Sequence, residues 1–125
     1  MDEIKTITKE DLKKKIDNQE DFVLLHTLGA DSYSKIHLPG AVSVEGHADN
    51  LIEQVEKIAP DKNTEVVAYC TSFSCQLSPA VTRKLAEAGY VNATDFEGGL
   101  KDWAEGGYDF EGDEAEQVKE SLLNG

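Results

Sequence analysis

Short apolar runs recur along the chain and predict the strands of a buried sheet. The clearest are "DFVLLHT" at residues 21–27 and "EVVAYC" at residues 65–70. Two shorter runs, "AVSV" at residues 41–44 and "NATDF" at residues 92–96, predict further strands. Compact apolar runs of this length are typical of strands that are covered on both faces.

Between these runs, apolar residues recur at helical spacing and predict helices. The first helix begins after Thr8, a predicted N-cap whose hydroxyl can accept a hydrogen bond from a first-turn amide. A second apolar stripe covers residues 51–58. The third helix has Ser78 as its predicted N-cap and Pro79 as its first residue, and it ends at Gly89. A short segment between glycines, "GGLKDWAEGG", predicts one more helix.

Strands that alternate with helices predict an α/β fold, in which a mostly parallel sheet is covered on both faces. The length of 125 residues fits one core. We place the domain at residues 1–110 and an acidic extension at residues 111–125. In that extension Val118 and Leu122 fall on one helical face, a pattern that fits a docked helix as well as a frayed tail.

The balance of charge argues against two classes of partner. The formal net charge is −13 at pH 7, whereas nucleic acids and anionic membranes are both bound through basic surfaces. No apolar run approaches the roughly 18 residues of a membrane-spanning helix. The N-terminal segment "MDEIKTITKEDLKKK" contains no apolar secretory segment. We therefore expect a cytoplasmic protein.

Both cysteines of the chain, Cys70 and Cys75, lie in the hexapeptide "CTSFSC", between a predicted strand and a predicted helix. Structural disulfides are rare in the cytoplasm, and a bridge across so short a loop would constrain little of the unfolded chain. None of the three histidines stands at zinc-ligand spacing from a Cys-x-x-Cys motif. The sequence therefore favours redox or nucleophilic chemistry at this hexapeptide.

Cys70 has the better position for a nucleophile, because it ends a strand just before a helix N-terminus. Free amides of the loop and of the first helical turn, together with the helix dipole, favour a thiolate over a thiol. The small residues Thr71, Ser72 and Ser74 allow the loop to turn its amides inward as an anion nest. The alternative is that Cys70 is simply a small buried residue of the strand.

Three further residues are candidates for supporting roles. Cys75 is a candidate resolving thiol that attacks an oxidised or persulfidated Cys70, and its alternative is to pack beneath the loop. His26 ends a neighbouring predicted strand and, if protonated, would favour the Cys70 thiolate. Its alternative is a hydrogen bond to loop backbone. Phe73 is a large apolar residue in a polar loop, where it would contact a substrate or partner.

Three segments of the chain carry a family resemblance. They are "FVLLHTLGADSYSKIHLPGAVSV", "VVAYC" and "AEAGYVNATDFEGGLKDW". In this order and spacing they resemble single-domain proteins of the rhodanese homology family, over a stretch from about Ile7 to Gly107. The resemblance implies a rhodanese-like three-layer α/β/α fold with a central, mostly parallel sheet of about five strands.

The resemblance also implies a function, that of a sulfurtransferase without a cofactor or metal. Cys70 would accept sulfane sulfur as a persulfide and pass it to an acceptor. The implied active-site loop contains six residues: Thr71, Ser72, Phe73, Ser74, Cys75 and Gln76. The implied partners are a small sulfur donor and a thiol acceptor, either of which can be a protein.

The chain departs from the family pattern in ways that bear on its substrate. The loop has no arginine or lysine, although relatives that use thiosulfate often have basic residues there. We therefore expect a polysulfide or a thiol or protein persulfide to be favoured over thiosulfate. The loop is also longer than the commonest form and resembles that of rhodanese-fold phosphatases and arsenate reductases, but it lacks their terminal arginine. A non-catalytic binding module and a two-cysteine thiol-disulfide or arsenate-type reductase remain the alternatives.

Overall fold

The computed structural model describes residues 4–124, so the outermost residues of the two predicted regions, 1–3 and 125, lie outside the described part. Within residues 4–124, five parallel strands form one sheet in the order β1-β5-β4-β2-β3. They are β1 (Lys5–Thr6), β2 (Val23–His26), β3 (Val42–Ser43), β4 (Val66–Tyr69) and β5 (Ala93–Phe96). Four of the strands match the predicted runs, and β1 is an additional short edge strand that pairs with β5.

In the described part of the chain, six helices cover the two faces of this sheet. They are α1 (Lys9–Asp17), α2 (Ala30–Lys35), α3 (Leu51–Ile58), α4 (Leu77–Glu87), α5 (Gly99–Glu105) and α6 (Ala115–Asn124). The start of α1 is as predicted, since the Thr8 hydroxyl accepts a hydrogen bond from the Asp11 amide at 3.2 Å. The predicted start of α4 is wrong. Its N-cap is Gln76, and Ser78 lies inside the first turn. The Ser78 hydroxyl does not cap the helix, because it donates to Asp95 on β5.

Each face of the sheet has its own apolar core. On one face, α3 and α4 contribute Leu51, Val55, Val81 and Leu85, which pack on strand residues such as Leu25 and Ala68. On the other face, residues of α1 and α5 such as Leu12, Leu100 and Trp103 pack on Leu24, Val67 and Tyr69. Successive strand residues point to opposite faces, so both faces are filled. The predicted three-layer α/β/α architecture is confirmed.

The C-terminal segment packs on the second face. Val118 and Leu122 of α6 contact the core formed there by α1 and α5. The backbone before α6 is held by α2, because the amides of Asp113 and Glu114 donate to carbonyl oxygens of Ser34 and Lys35 at 2.8 and 3.0 Å. None of the described helices is both long and apolar enough to cross a bilayer.

Candidate functional site

Cys70 follows β4 directly and faces α4, with only 1% of its surface exposed. Its backbone is held by the first turn of α5: the Leu100 amide donates to the Cys70 carbonyl at 3.0 Å, and the Lys101 amide donates to the Thr71 carbonyl at 2.8 Å. Gly99 has a φ of +62° and lies against this backbone, where a Cβ atom would collide with the Cys70 carbonyl oxygen. The start of α5 therefore fixes where the cysteine loop begins.

The two cysteines of the loop meet. Cys70 and Cys75 are joined by a disulfide, and their Cα atoms are 6.5 Å apart, which is within the span of such a bond. A turn closes the loop, since the Cys75 amide donates to the Ser72 carbonyl at 3.0 Å. The hydroxyl oxygens of Ser72 and Ser74 are also 3.0 Å apart. The loop conformation is thus compact enough to place both sulfurs together.

The loop retains unused hydrogen-bond donors. Within residues 4–124, the amides of Thr71, Ser72, Phe73 and Ser74 donate no hydrogen bond to another protein group. Gln76, the N-cap of α4, makes no side-chain capping bond either. Unpaired amides in a loop and in a first helical turn are the donors that an anionic sulfur needs. The anion nest stays a prediction, and these free amides supply its donors.

Ser78 and Asp95 form a buried polar pair beside Cys70. The Ser78 hydroxyl lies 3.4 Å from the Cys70 sulfur and donates to Asp95 Oδ1 at 2.6 Å. Asp95 belongs to β5 and is fully buried, and its Oδ2 atom has no hydrogen-bond partner among the described residues. Burial raises the pKa of Asp95 to about 6, although the Ser78 hydrogen bond opposes this shift. Sequence reasoning gave neither residue a functional role.

His26 ends β2 at the same edge of the sheet, but its side chain lies on the face opposite to α4. Its Nδ1 atom is 2.8 Å from the Tyr69 hydroxyl, which accepts a hydrogen bond from the Leu38 amide at 3.0 Å. The Tyr69 hydroxyl therefore donates to Nδ1 of the imidazole. The ring proton is then on Nε2, which donates to the Ser32 hydroxyl at 3.1 Å. Burial, helped by the nearby charge of His37, lowers the pKa of His26 to about 4.

Neutral His26 thus has partners of its own. Within residues 4–124, no hydrogen bond joins it to either cysteine. Its role as a support for Cys70 stays a prediction that rests on the shared sheet edge alone.

Phe73 projects from the loop with 69% of its surface exposed. It lines a cavity of about 260 Å³ together with Ser72, Ser74, Lys101, Asp102 and Glu105. Another cavity, of about 430 Å³, is lined by Thr71, Lys35 and Asp31 among other residues. Lys101 and Lys35 therefore lie near a loop that itself has no lysine, and each shares its cavity with carboxylates. The sequence held no signal for this, because both lysines lie far from the loop along the chain.

The side chains of residues 4–124 do not form a metal centre. Among them, no cluster of three or more His, Cys, Asp or Glu side chains is arranged to hold a metal ion. The chemistry that the arrangement offers is that of a sulfur nucleophile at the end of a strand, with free amides on one side and a hydroxyl and a carboxyl group on the other.

Solved structures share this fold. BH2092 protein from Bacillus halodurans is 23% identical, with a TM-score of 0.78 over 94% of this chain and 89% of that one. Thiosulfate sulfurtransferase from Pseudomonas aeruginosa is 23% identical, with a TM-score of 0.73 over 90% of this chain, which spans only 21% of that protein. The human single-domain sulfurtransferase TSTD1 is 17% identical, with a TM-score of 0.66 over 82% of this chain and 97% of that one.

At these identities the structural likeness shows the fold alone. No match was found among curated proteins. The family model described as "Rhodanese-like domain" matches residues 8–106, which include every strand after the edge strand β1, the cysteine loop and the start of α5. The chain therefore belongs to the family of rhodanese-like domains.

Proposed function

We propose that this protein is a sulfurtransferase that carries sulfane sulfur as a persulfide on Cys70. The observation that carries the proposal is the position of Cys70 between the end of β4 and the start of α4, next to four loop amides without a protein partner among residues 4–124. Such amides stabilise a thiolate before the reaction and a persulfide anion after it. Two proteins of the same fold are named as sulfurtransferases, which agrees with this proposal.

The reaction consists of two displacements at sulfur. In the first, the Cys70 thiolate attacks the outer sulfur of a donor such as a thiol persulfide. A bond forms between Cys70 Sγ and that sulfur, the sulfur-sulfur bond of the donor breaks, and its electron pair leaves with the donor thiolate. In the second, an acceptor thiolate attacks the same sulfur and releases Cys70 as a thiolate. No net oxidation or reduction of the protein occurs.

The disulfide is the resting form in this scheme, and a dithiol reductant must open it before sulfur transfer begins. Cys75 is more exposed than the buried Cys70, so its sulfur is the one that a reductant thiolate attacks first. That attack expels Cys70 as a thiolate. A second thiol of the reductant then releases Cys75 and takes up the two oxidising equivalents as its own disulfide. The expected cytoplasmic location supplies such reductants.

We propose polysulfides and thiol or protein persulfides as the preferred donors. Thiosulfate is a dianion and gains from a charge-assisted contact, but no lysine or arginine occurs between Cys70 and Pro79. Lys101 and Lys35 line the neighbouring cavities, and carboxylates line the same cavities. The net charge of −13 repels a dianion further. Phe73 gives a thiol-borne donor an apolar contact instead.

A donor panel tests the function. Wild type, Cys70→Ala and Cys75→Ala are reduced, desalted and incubated with thiosulfate, inorganic polysulfide or a low-molecular-weight thiol persulfide. Intact mass should show one added sulfur atom on wild type and on Cys75→Ala, removed by dithiothreitol, and none on Cys70→Ala. Full transfer by Cys70→Ala would overturn the assignment. A wild-type preference for thiosulfate at matched ionic strength would overturn the donor proposal.

The disulfide favours a second candidate, a thiol-disulfide reductase that uses both cysteines. Cys75→Ala separates the two, because a reductase needs the resolving thiol for every turnover and a sulfurtransferase does not. The arsenate-type version is less well supported, since the loop ends Cys75-Gln76-Leu77 without an arginine to hold an oxyanion. A non-catalytic binding module predicts that no variant and no wild-type protein gains sulfur.

A further inference from the structure

Three side chains form a line of polar atoms under the cysteine loop. Cys70 contacts the Ser78 hydroxyl, and that hydroxyl donates to Asp95. All three are buried, with exposures of 1% for Cys70, 1% for Ser78 and 0% for Asp95. Asp95 Oδ2 is left without a hydrogen-bond partner among the described residues. A buried carboxyl oxygen without a partner is costly in the ionised form and calls for an explanation.

The surroundings of Asp95 supply little compensating charge. From α4, Arg83 exerts a weak stabilising effect on the carboxylate, and Glu97, just after β5, opposes it. From β4, the ionisable neighbour in the line is Cys70 itself. On β1, Lys5 reaches the Val91 carbonyl and the Asn92 side chain at the far end of β5. The surroundings therefore stabilise two buried negative charges less well than one.

We infer that Ser78 and Asp95 form a proton relay for Cys70, in which Asp95 holds the proton that the thiol releases when its sulfur becomes anionic. The inference rests on the proposed function and assigns Asp95 as a positioning residue that acts through Ser78. In the step, the thiol proton passes from Cys70 Sγ to Ser78 Oγ while the hydroxyl proton passes from Ser78 Oγ to Asp95. The site begins with a thiol and a carboxylate and ends with a thiolate and a carboxylic acid.

This exchange keeps the number of buried charges constant. Before the step the negative charge is on Asp95, and afterwards it is on the sulfur, where the free loop amides stabilise it. Once Asp95 is protonated, it donates to Ser78, and the hydroxyl can turn to donate to the anionic sulfur. The raised pKa of Asp95, about 6, brings its proton affinity closer to that of a thiol, whose pKa is near 8.5 in water, which makes the exchange easier.

The relay predicts a recognisable pH profile for a reaction that needs no sulfur donor. Alkylation of reduced Cys70 by iodoacetamide is measured in a Cys75→Ser background, so that one thiol is present. Below the thiol pKa the reactive form is the pair of thiolate and protonated Asp95, and above it the thiolate beside ionised Asp95 reacts as well. The population of the pair is constant between the pKa of Asp95 and that of the thiol. The logarithm of the rate should therefore rise to a shoulder above about pH 6 and rise again near the thiol pKa.

Variants decide whether Asp95 and Ser78 cause the shoulder. Asp95→Asn, in the same background, should show a single ionisation, with the thiol pKa lowered by about 1 unit because a nearby negative charge is gone. Absorbance of the thiolate at 240 nm measures that shift independently of access by the reagent. Ser78→Ala should weaken the shoulder and Ser78→Thr, which keeps the hydroxyl, should restore it. Glu97→Gln is the matched control and should keep the shoulder.

The outcomes separate this inference from the proposed function. A single ionisation in the parent protein overturns the relay without any variant, even if sulfur transfer is strong. A shoulder that persists in Asp95→Asn overturns it as well. A shoulder that is lost in Asp95→Asn supports the relay, also in a protein that transfers no sulfur, in which case only the proposed function fails.

Discussion

Each face of the sheet buries a titratable polar side chain at the carboxyl edge of the strands, His26 on one face and Asp95 on the other, and the two environments differ. On the face of α1 and α5, His26 has both ring nitrogens bonded, to Tyr69 and to Ser32. Tyr33 and Tyr69 pack edge-on against its ring, with centroids 5.6 and 5.2 Å away. On the face of α4, Asp95 has one oxygen bonded and the other without a partner in residues 4–124.

The difference teaches that burial alone does not mark a reactive position. His26 is neutral and its hydrogen bonds are complete, which is how a structural polar residue is accommodated in a core. Asp95 lacks one hydrogen bond and lies one hydroxyl away from a sulfur nucleophile. Both pKa values are shifted by the same cause, burial, yet only Asp95 is linked through a hydroxyl to the Cys70 sulfur.

The most direct test of this difference is the titration of His26. Its pKa is about 4 in the folded protein, against 6.5 for an unperturbed histidine, so the unfolded state binds more protons between these values. Stability should therefore rise with pH across that window and should be complete above 6.5. Relative to His26→Asn, the wild type should lose roughly 2.5 kcal/mol on acidification from pH 6.5 to pH 4.

Urea unfolding of the oxidised protein at a series of pH values measures this slope. His47→Asn is the matched control, since the His47 side chain is exposed and stays in water on folding. Equal slopes for wild type and His26→Asn would mean that His26 is protonated in the folded protein.

Asp95 should give the opposite slope in nearly the same window. Its folded pKa of about 6 lies above the value of 3.8 for a free side chain, so the folded state binds more protons. Stability should fall as pH rises from 3.8 to 6, by about 2 kcal/mol relative to Asp95→Asn. The same urea series measures it, with the exposed Asp21→Asn as control. A slope of the same sign as that of His26 would contradict the raised pKa of Asp95.

Tyr69→Phe tests how complete the hydrogen bonding is on the His26 face. It removes the hydroxyl that accepts from the Leu38 amide and donates to His26, so two buried groups lose a partner. We expect a loss of about 1–3 kcal/mol in the free energy of unfolding. Tyr90→Phe, which removes a single bond to the Ala59 carbonyl, should cost less. Equal losses for both variants would show that the Tyr69 hydroxyl does not link two partners.

The smallest effect on stability should come from Phe73→Ser, in the loop between Cys70 and Cys75. The Phe73 side chain is mostly exposed, so its removal should change the free energy of unfolding by less than about 0.5 kcal/mol. If Phe73 contacts the donor, KM for an aryl or alkyl persulfide should rise while KM for inorganic polysulfide stays the same. Steady-state assays with the two donors measure the contrast, and an equal rise for both would remove Phe73 from donor recognition.

Much of the fold was predictable because local patterns carry it. The runs at residues 21–27 and 65–70 had to be buried strands, and the cap at Thr8 follows from its own neighbours. The edge strand β1 was not predicted, since Lys5 and Thr6 are exposed and show no apolar pattern. The start of α4 was misplaced because Ser78 has two possible uses for its hydroxyl, and the choice depends on Asp95, which is 17 residues away.

The site was predictable only where it is local. Cys70 and Cys75 share a hexapeptide, so their proximity could be foreseen. His26 and Cys70 were expected in one crevice because both end strands, but His26 is the register partner of Tyr69, which points to the opposite face from Cys70. Asp95 carried no signal of its own, because in a strand covered on both faces no alternation tells which side a polar residue will meet.

The attachment of the cysteine loop to α5 has a consequence for synthesis of the chain. Leu100 and Lys101, whose amides hold the Cys70 and Thr71 carbonyls, are made well after the two cysteines. A nascent chain that stops before Gly99 has both thiols but lacks the donors and the glycine contact that shape the loop around them. We expect the cysteines of such a chain to form mixed disulfides with other molecules more readily than those of the folded protein. The loop therefore takes its shape only when α5 has formed.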